Sequence, residues 1–293
     1  MKKLVYTALL AYLSLCLAEA QTLLKDFENN HVTTSSISFT SDGRYFLVSG
    51  YAKAFNVDAG RIDFRTIEKD TETQGDFSVR IVASPDNSTF LFTKAGRIEV
   101  WDLKGRKKIR DVRDARLIEN AVCYSRDGRS ILYMRKNGEM VVLNSQTLSE
   151  TYCEKVTDAT PSSLGAASDG KKVIIGTKES QLVIFDLVTH SVNPVKIPER
   201  GIQHIDISPA GDYVAGSTTT GKIWLGKYPS LETIMSWQAH PDGYTGISFH
   251  PSGRFLASGG KDKKVCIWSI PACSLVSEWP AHKYAVVSVA FSP

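Results

Sequence analysis

The chain has 293 residues, 42% of them hydrophobic and 23% charged, and its 35 Lys and Arg against 31 Asp and Glu leave a formal charge of +4. That balance suits a folded chain with a packed interior and excludes the low-hydropathy, high-charge composition of disorder. It also argues against a nucleic-acid binder, whose surface must neutralise many phosphates.

The first twenty residues stand apart. Lys2 and Lys3 precede an apolar run from Leu4 to Leu17, and Ala18-Glu19-Ala20 closes it as a small-x-small cleavage site, the pattern of a secretory signal peptide. The 14-residue run is shorter than the ~20 residues of a membrane-spanning helix, and no other stretch is apolar enough to span. A lipoprotein reading at Cys16 is disfavoured by Leu15, because a small residue normally precedes a lipidated cysteine. The expected organisation is therefore a leader over 1–20 and one exported domain over 21–293, periplasmic or extracellular after cleavage near Ala20. The Lys-Lys start suggests a bacterial host. Without Lys2, Lys3 and Glu19 the mature charge is +3, and four of the five cysteines remain.

Beyond the leader one pattern recurs. An apolar run ends in a small-polar turn closed by Gly43, Asn87, Gly128, Gly170, Gly211 or Gly253, at intervals of 44, 41, 42, 41 and 42 residues. Gly and Asn tolerate the positive φ that such turns need. After each turn come a short apolar stretch, a second polar turn, and alternating residues such as Ile98-Glu-Val-Trp101, Leu182-Val-Ile-Phe185 and Val265-Cys-Ile-Trp268. Period-two alternation is the strand period, and a repeat of about forty residues holding four short strands predicts an all-β propeller of four-stranded blades.

The clearest copy, His250-Pro-Ser-Gly-Arg-Phe-Leu-Ala-Ser-Gly-Gly-Lys-Asp-Lys-Lys-Val-Cys-Ile-Trp-Ser269, resembles the WD-repeat β-propeller family, and the resemblance covers roughly Gln21 to the end. It implies a buried structural tetrad at His240, Ser258, Asp262 and Trp268. Elsewhere that tetrad has decayed: Trp101-Asp102 keeps the name-giving pair, Phe185-Asp186 approximates it, and Leu143-Asn144 and Phe55-Asn56 do not. Trp224 lies two places early in the fifth copy, where Gly226 takes the tetrad place.

The end of the chain repeats a first strand: Val289-Ala-Phe-Ser-Pro293 parallels Ile247-Ser-Phe-His-Pro251. Thr22 to Phe27 reads as a last strand without a blade of its own. These ends predict six complete blades plus an incomplete seventh, as in a chain cut within its last repeat, with a six-bladed ring carrying spare terminal strands as the alternative. The same reading places Cys123 and Cys153 on the first and last strands of one sheet. It pairs Cys266 with a residue beyond Cys273, so free, mostly packed thiols are expected.

Catalytic and metal-binding patterns are missing from the sequence. There is no Gly-rich phosphate loop, His-Glu-x-x-His, Cys-x-x-Cys or Gly-x-Ser-x-Gly, and Ser168-Asp-Gly-Lys171 matches a Ser-x-x-Lys string through the repeat turn alone. The six histidines show no ligand spacing, and His204, the one placed within a channel-lining first strand, is not by itself a metal site. No cofactor is expected. Asn87-Ser-Thr89 is an isolated glycosylation string.

One pattern rises above the scaffold. The turn between second and third strands carries Lys53, Lys94, Lys136, Lys178 and Lys261 in five copies, with Thr219 in the fifth copy along the chain. In a propeller these turns share one rim, where a ring of cations would favour an acidic partner. The loops entering the first strands carry Asp76, Arg200, Asp242 and Tyr284 on that same rim. The expected function is a non-catalytic, monomeric protein-interaction scaffold that binds a partner there, with no nucleic acid and no membrane span. Two alternatives stand beside it: a sensor half of a longer protein with a C-terminal effector domain, and an exported propeller enzyme of the lactonase or hydrolase type.

Overall fold

The structure is a computed structural model that describes residues 36–49, 53–56, 61–65, 80–243, 245–280 and 284–293. Within them lie six four-stranded antiparallel sheets, each made of strands consecutive in the chain. Blade 1 holds β1 to β4 (Ile37–Phe39, Tyr45–Val48, Lys53–Asn56, Arg61–Arg65), and blade 2 holds β5 to β8 (Ile81–Ala83, Thr89–Lys94, Arg97–Asp102, Lys107–Arg113). Blade 3 holds β9 to β12 (Leu117–Tyr124, Ser130–Arg135, Glu139–Asn144, Glu150–Lys155), and blade 4 holds β13 to β16 (Pro161–Ala166, Lys172–Thr177, Gln181–Asp186, Val192–Lys196). Blade 5 holds β17 to β20 (Ile202–Ile207, Tyr213–Thr218, Lys222–Lys227, Glu232–Gln238), and blade 6 holds β21 to β24 (Thr245–Phe249, Phe255–Gly260, Lys264–Ser269, Ser274–Pro280). The leader, the stretch from Thr22 to Phe27, and Asp76 lie outside the described residues.

Burial explains why these segments are strands. Middle strands such as Lys172–Thr177 and Gln181–Asp186 are apolar on both faces because each blade is sandwiched between neighbours, whereas the outer strand Lys107–Arg113 is polar and exposed. The core accordingly sits between blades: Leu132, Met134 and Met140 of blade 3 pack on Val173, Ile175 and Val183 of blade 4. The turn residues of all six copies have positive φ, from 59° at Asn87 to 77° at Gly211. Each Asp-containing turn is also tied by side chains. In blade 3 the Ser125 hydroxyl donates to Asp127 (2.6 Å) and Arg129 N–H donates to the same oxygen (3.0 Å), which holds the Asp127 carboxyl below its usual range.

First strands stand side by side around the axis, β1 by β5, β9 by β13, β13 by β17, and β17 by β21. Segment 284–293 forms no ladder, a departure from the expected first strand, since a first strand pairs only with the second strand of its own sheet. It nevertheless holds the ring position between blades 6 and 1. Ile37 N–H donates to Ser288 Oγ (3.3 Å), the bond that Ile81 N–H makes to Ser36 Oγ (3.4 Å) one blade further on. Val286 is buried and donates its N–H to Gly260 C=O (2.9 Å), and the Phe291 ring stands edge-on to His250 at 4.9 Å. The segment therefore continues the inner ring as its seventh member.

Candidate functional site at the channel mouth

The mouth is built by one repeated hydrogen bond. In each of four blades the N–H at the start of the second-to-third strand turn donates to the carbonyl of the loop entering the first strand: Lys136 to Arg116 (2.8 Å), Lys178 to Thr160 (2.9 Å), Thr219 to Gly201 (2.9 Å) and Lys261 to Gly243 (3.2 Å). Turn and entry loop thus form one rigid lip, with Gly201 and Gly243 at positive φ where the chain bends inward. In blade 3 the lip is pinned further, because Asp114 accepts from Arg135 Nε (2.5 Å) and from the Tyr133 hydroxyl (2.9 Å). The Arg135 guanidinium also bonds Glu139 (2.9 Å).

These lips surround a cavity of about 1100 Å³ lined by Lys136, Lys178, Thr219, Glu119, Gln203 and His204, among others. The structure thus brings together part of the expected rim. Lys136, Lys178 and Lys261 are exposed, and the first two face the cavity. Lys94 departs from expectation: the blade 2 turn is one residue shorter, so Lys94 ends β6, pairs with Arg97 in the ladder and is half-buried. The backbone of Lys53 opens β3, while its side chain is outside the described residues. Arg200 and Asp242 are exposed on the entry loops beside the lip carbonyls, and Tyr284 is half-buried.

Carboxylates stand among the lysines of the expected rim. Glu119 accepts from Gly96 N–H (3.0 Å), and Glu179 accepts from Thr160 N–H (2.9 Å) and the Thr160 hydroxyl (3.0 Å). The mouth is a mixed surface with cationic arms over a polar lining.

Below it the channel holds a group of residues absent from the expected site. Seven residues before each turn residue stand Ser36, Arg80, Ala121, Ser163, His204 and Gly246, and five before stands Asp206 in β17. Asp206 Oδ2 accepts from Phe249 N–H of the next blade (2.6 Å) and Oδ1 from Ile207 N–H (2.9 Å). Burial pushes the Asp206 carboxyl up to about 6 and the His204 imidazole down to about 4. The available signal was the polar run Gln203-His204 and Asp206 inside an otherwise apolar innermost strand.

The tetrad residues lie in blade 6, away from the mouth cavity. His240 is fully buried; its Nδ1 bonds Asp262 (2.8 Å) and its Nε2 bonds Ser258 Oγ (2.8 Å), which also accepts from Trp268 Nε1 (2.8 Å). Cys123, Cys153, Cys266 and Cys273 are unpaired, with Cys266 opposite Glu278 in the ladder. Among the described residues no group of three His, Cys, Asp or Glu could hold a metal, and no helix is long and apolar enough to cross a membrane.

The model of the WD domain, G-beta repeat, matches residues 231–269, which span the last strand of blade 5 and the first three of blade 6. The β-propeller domain of Cps50 (Swd1) from Myceliophteria thermophila superposes with a TM-score of 0.78, over 89% of this chain and 90% of that one, at 14% identity, a likeness of fold alone. No curated protein matches the sequence. Ring and superposition together show a β-propeller fold, and residues 231–269 of it match the WD repeat.

Proposed function

We propose that the protein is an exported, non-catalytic scaffold that seats a segment of a partner protein over the channel mouth. WD-repeat propellers generally serve as interaction scaffolds. The observation that carries the finer reading is the mouth itself: a concavity of about 1100 Å³ framed by rigid lips from which Lys136 and Lys178 project. Rigid turns on a ring offer a binding surface whose ordering cost is already met by the fold. The exposed cations favour an acidic segment, which Glu119 and Glu179 tolerate because their carboxylates are engaged with backbone N–H groups. The leader supports export, and the mature protein recovered from an envelope or secreted fraction should begin at Gln21.

Changing Lys136, Lys178 and Lys261 together to Gln tests the mouth. The variant should fold with an unchanged melting temperature and lose roughly tenfold in affinity for the partner captured by the parent, whose capture should also weaken with added salt. Equal capture by parent and variant at low salt would overturn the rim reading.

A further inference from the structure

The channel beneath the mouth contains a cation that the scaffold reading does not use. Arg80 stands immediately before β5, its backbone locked to β6 by Arg80 N–H to Thr93 Oγ1 (3.0 Å) and Thr93 N–H to Arg80 C=O (2.9 Å). Its guanidinium is coupled electrostatically to Cys123 in blade 3 and to His204 and Asp206 in blade 5. Blades 2 and 5 lie three steps apart around the ring, so this interaction runs across the channel. Its Nε–H is closed off from water and has no acceptor, and among the described residues Arg80 makes no ion pair. Arg80 as a whole is half-buried, and a donor closed off from water without an acceptor is rare in folded proteins.

The channel's own carboxylate acts on Arg80 through its charge alone and accepts no hydrogen bond from it. Both oxygens of Asp206 are taken by backbone N–H groups, those of Ile207 and Phe249. At the places equivalent to Arg80 the other first strands carry small residues, Ser36, Ala121, Ser163, Gly246 and Ser288, with His204 the exception. Gln203, which the β17–β18 register skips, opens on the mouth cavity with its Oε1 buried and without a donor. The inner strands thus offer a guanidinium with an unfilled Nε–H donor and, on the wall of the mouth cavity, an unfilled acceptor.

We propose that the channel binds a carboxylate flanked by an N–H or O–H donor, with Arg80 taking the carboxylate and Gln203 Oε1 accepting from the donor. Arg suits this role because its fork matches the two oxygens of a carboxylate. A phosphate dianion fits less well, since one guanidinium must balance two charges with Asp206 nearby. The same chemistry is carried by a free acylamino or hydroxy acid and by the C-terminus of a peptide entering from the mouth. In the second case the inference rests on the scaffold reading and names what the partner inserts.

The test is calorimetric titration of the full chain with N-acetylglycine, lactate, acetate, inorganic phosphate, and the tripeptide acetyl-Gly-Gly-Gly as acid and as amide, all at matched ionic strength. N-acetylglycine should bind the parent at least fivefold more tightly than acetate, and Arg80→Gln should weaken it at least tenfold. Gln203→Leu should erase the preference over acetate. Tighter binding of the tripeptide acid than of N-acetylglycine or lactate assigns the site to a chain terminus, and the reverse order assigns it to a small acid; either supports the carboxylate site. Should Arg80→Gln fail to fold, Arg80→Lys keeps the charge, removes the fork and should cost at least fivefold. The ¹⁵N-edited Arg80 Nε–H signal gives a second readout and should move on titration with N-acetylglycine. Equal binding by parent and Arg80 variants, tighter binding of phosphate, an unmoved Nε–H signal or no binding by any probe would overturn the proposal. The three-lysine variant separates the two readings: it should keep N-acetylglycine within about threefold while losing the partner.

Discussion

Blades 5 and 6 adjoin, share the lengths of their last three strands and the register among them, and are held together differently. Blade 6 uses a polar relay from Asp262 through His240 and Ser258 to Trp268. Counting from the turn residues, the equivalent places in blade 5 are Thr220, Pro198, Gly216 and Gly226, so every member of the relay is gone. In its place Trp224, two residues earlier on the same face, lies across Gly226, where an added Cβ would stand only 2.2 Å from the indole. Trp224 is fully buried and satisfies its Nε1–H on Thr233 Oγ1 of β20 (2.9 Å). The lesson is that a blade demands a filled seam and a satisfied indole N–H. Two residue sets meet those demands, one by a hydrogen-bond chain and one by an indole on a glycine.

The largest effect should come from removing either indole. Trp224→Ala and Trp268→Ala should each cost about 3–5 kcal/mol in urea unfolding, the ordinary loss for a large buried aromatic. A much smaller loss for Trp224 would mean that blade 5 does not rely on its substitute.

The hydrogen bonds beneath the two indoles should separate the blades next. Ser258→Ala orphans both His240 Nε2 and Trp268 Nε1 and should cost roughly 2–3 kcal/mol, whereas Thr233→Val orphans one indole N–H and should cost about 1 kcal/mol. Asp262→Ala should cost roughly 1–3 kcal/mol, against well under that for Asp42→Ala in an exposed turn. Equal losses at Ser258 and Thr233 would show that the relay acts as separate pairs.

The smallest effect concerns the channel end of blade 5, which has no counterpart in blade 6, where Gly246 and Ser248 take the places of His204 and Asp206. The folded-state value for Asp206 is raised to about 6, so the fold loses stability as pH rises from about 4 to about 6 through this group. His204 is lowered to about 4, so through it the fold loses stability as pH falls from about 6.5 to about 4. The two slopes oppose each other in the parent. Relative to the parent, Asp206→Asn should lose roughly 1–2 kcal/mol on acidification from pH 6 to 4, and His204→Gln should gain a similar amount. Parallel stability profiles for all three proteins would refute the opposition.

Much of this molecule was legible without coordinates because its signals are periodic. Turn residues 41 to 44 apart and period-two alternation mark the blades, and the count from turn to tetrad correctly assigned Gly226, in preference to Trp224, to the tetrad place. What filled that place was not legible, since it depends on an indole folding back over two residues of its own strand. Lys136 and Lys178 were found by spacing alone, but Lys94 was drawn into the ladder by a turn one residue shorter. The lip carboxylates Glu119 and Glu179 escaped because their roles are set by backbone groups across a turn.

The local sequence by itself determined the strands, the turns and the number of sheets, because pleat alternation and positive-φ residues act over a few neighbours. Only the tertiary structure decided which distant residues share the axis. Arg80, His204 and Asp206 are separated by up to 126 positions, and the guanidinium acts on the other two because ring closure brings the first strands of blades 2 and 5 around one axis. The same closure made residues 284–293 a seventh member of the inner ring, through a side-chain bond from Ser288 to Ile37 that no local pattern encodes.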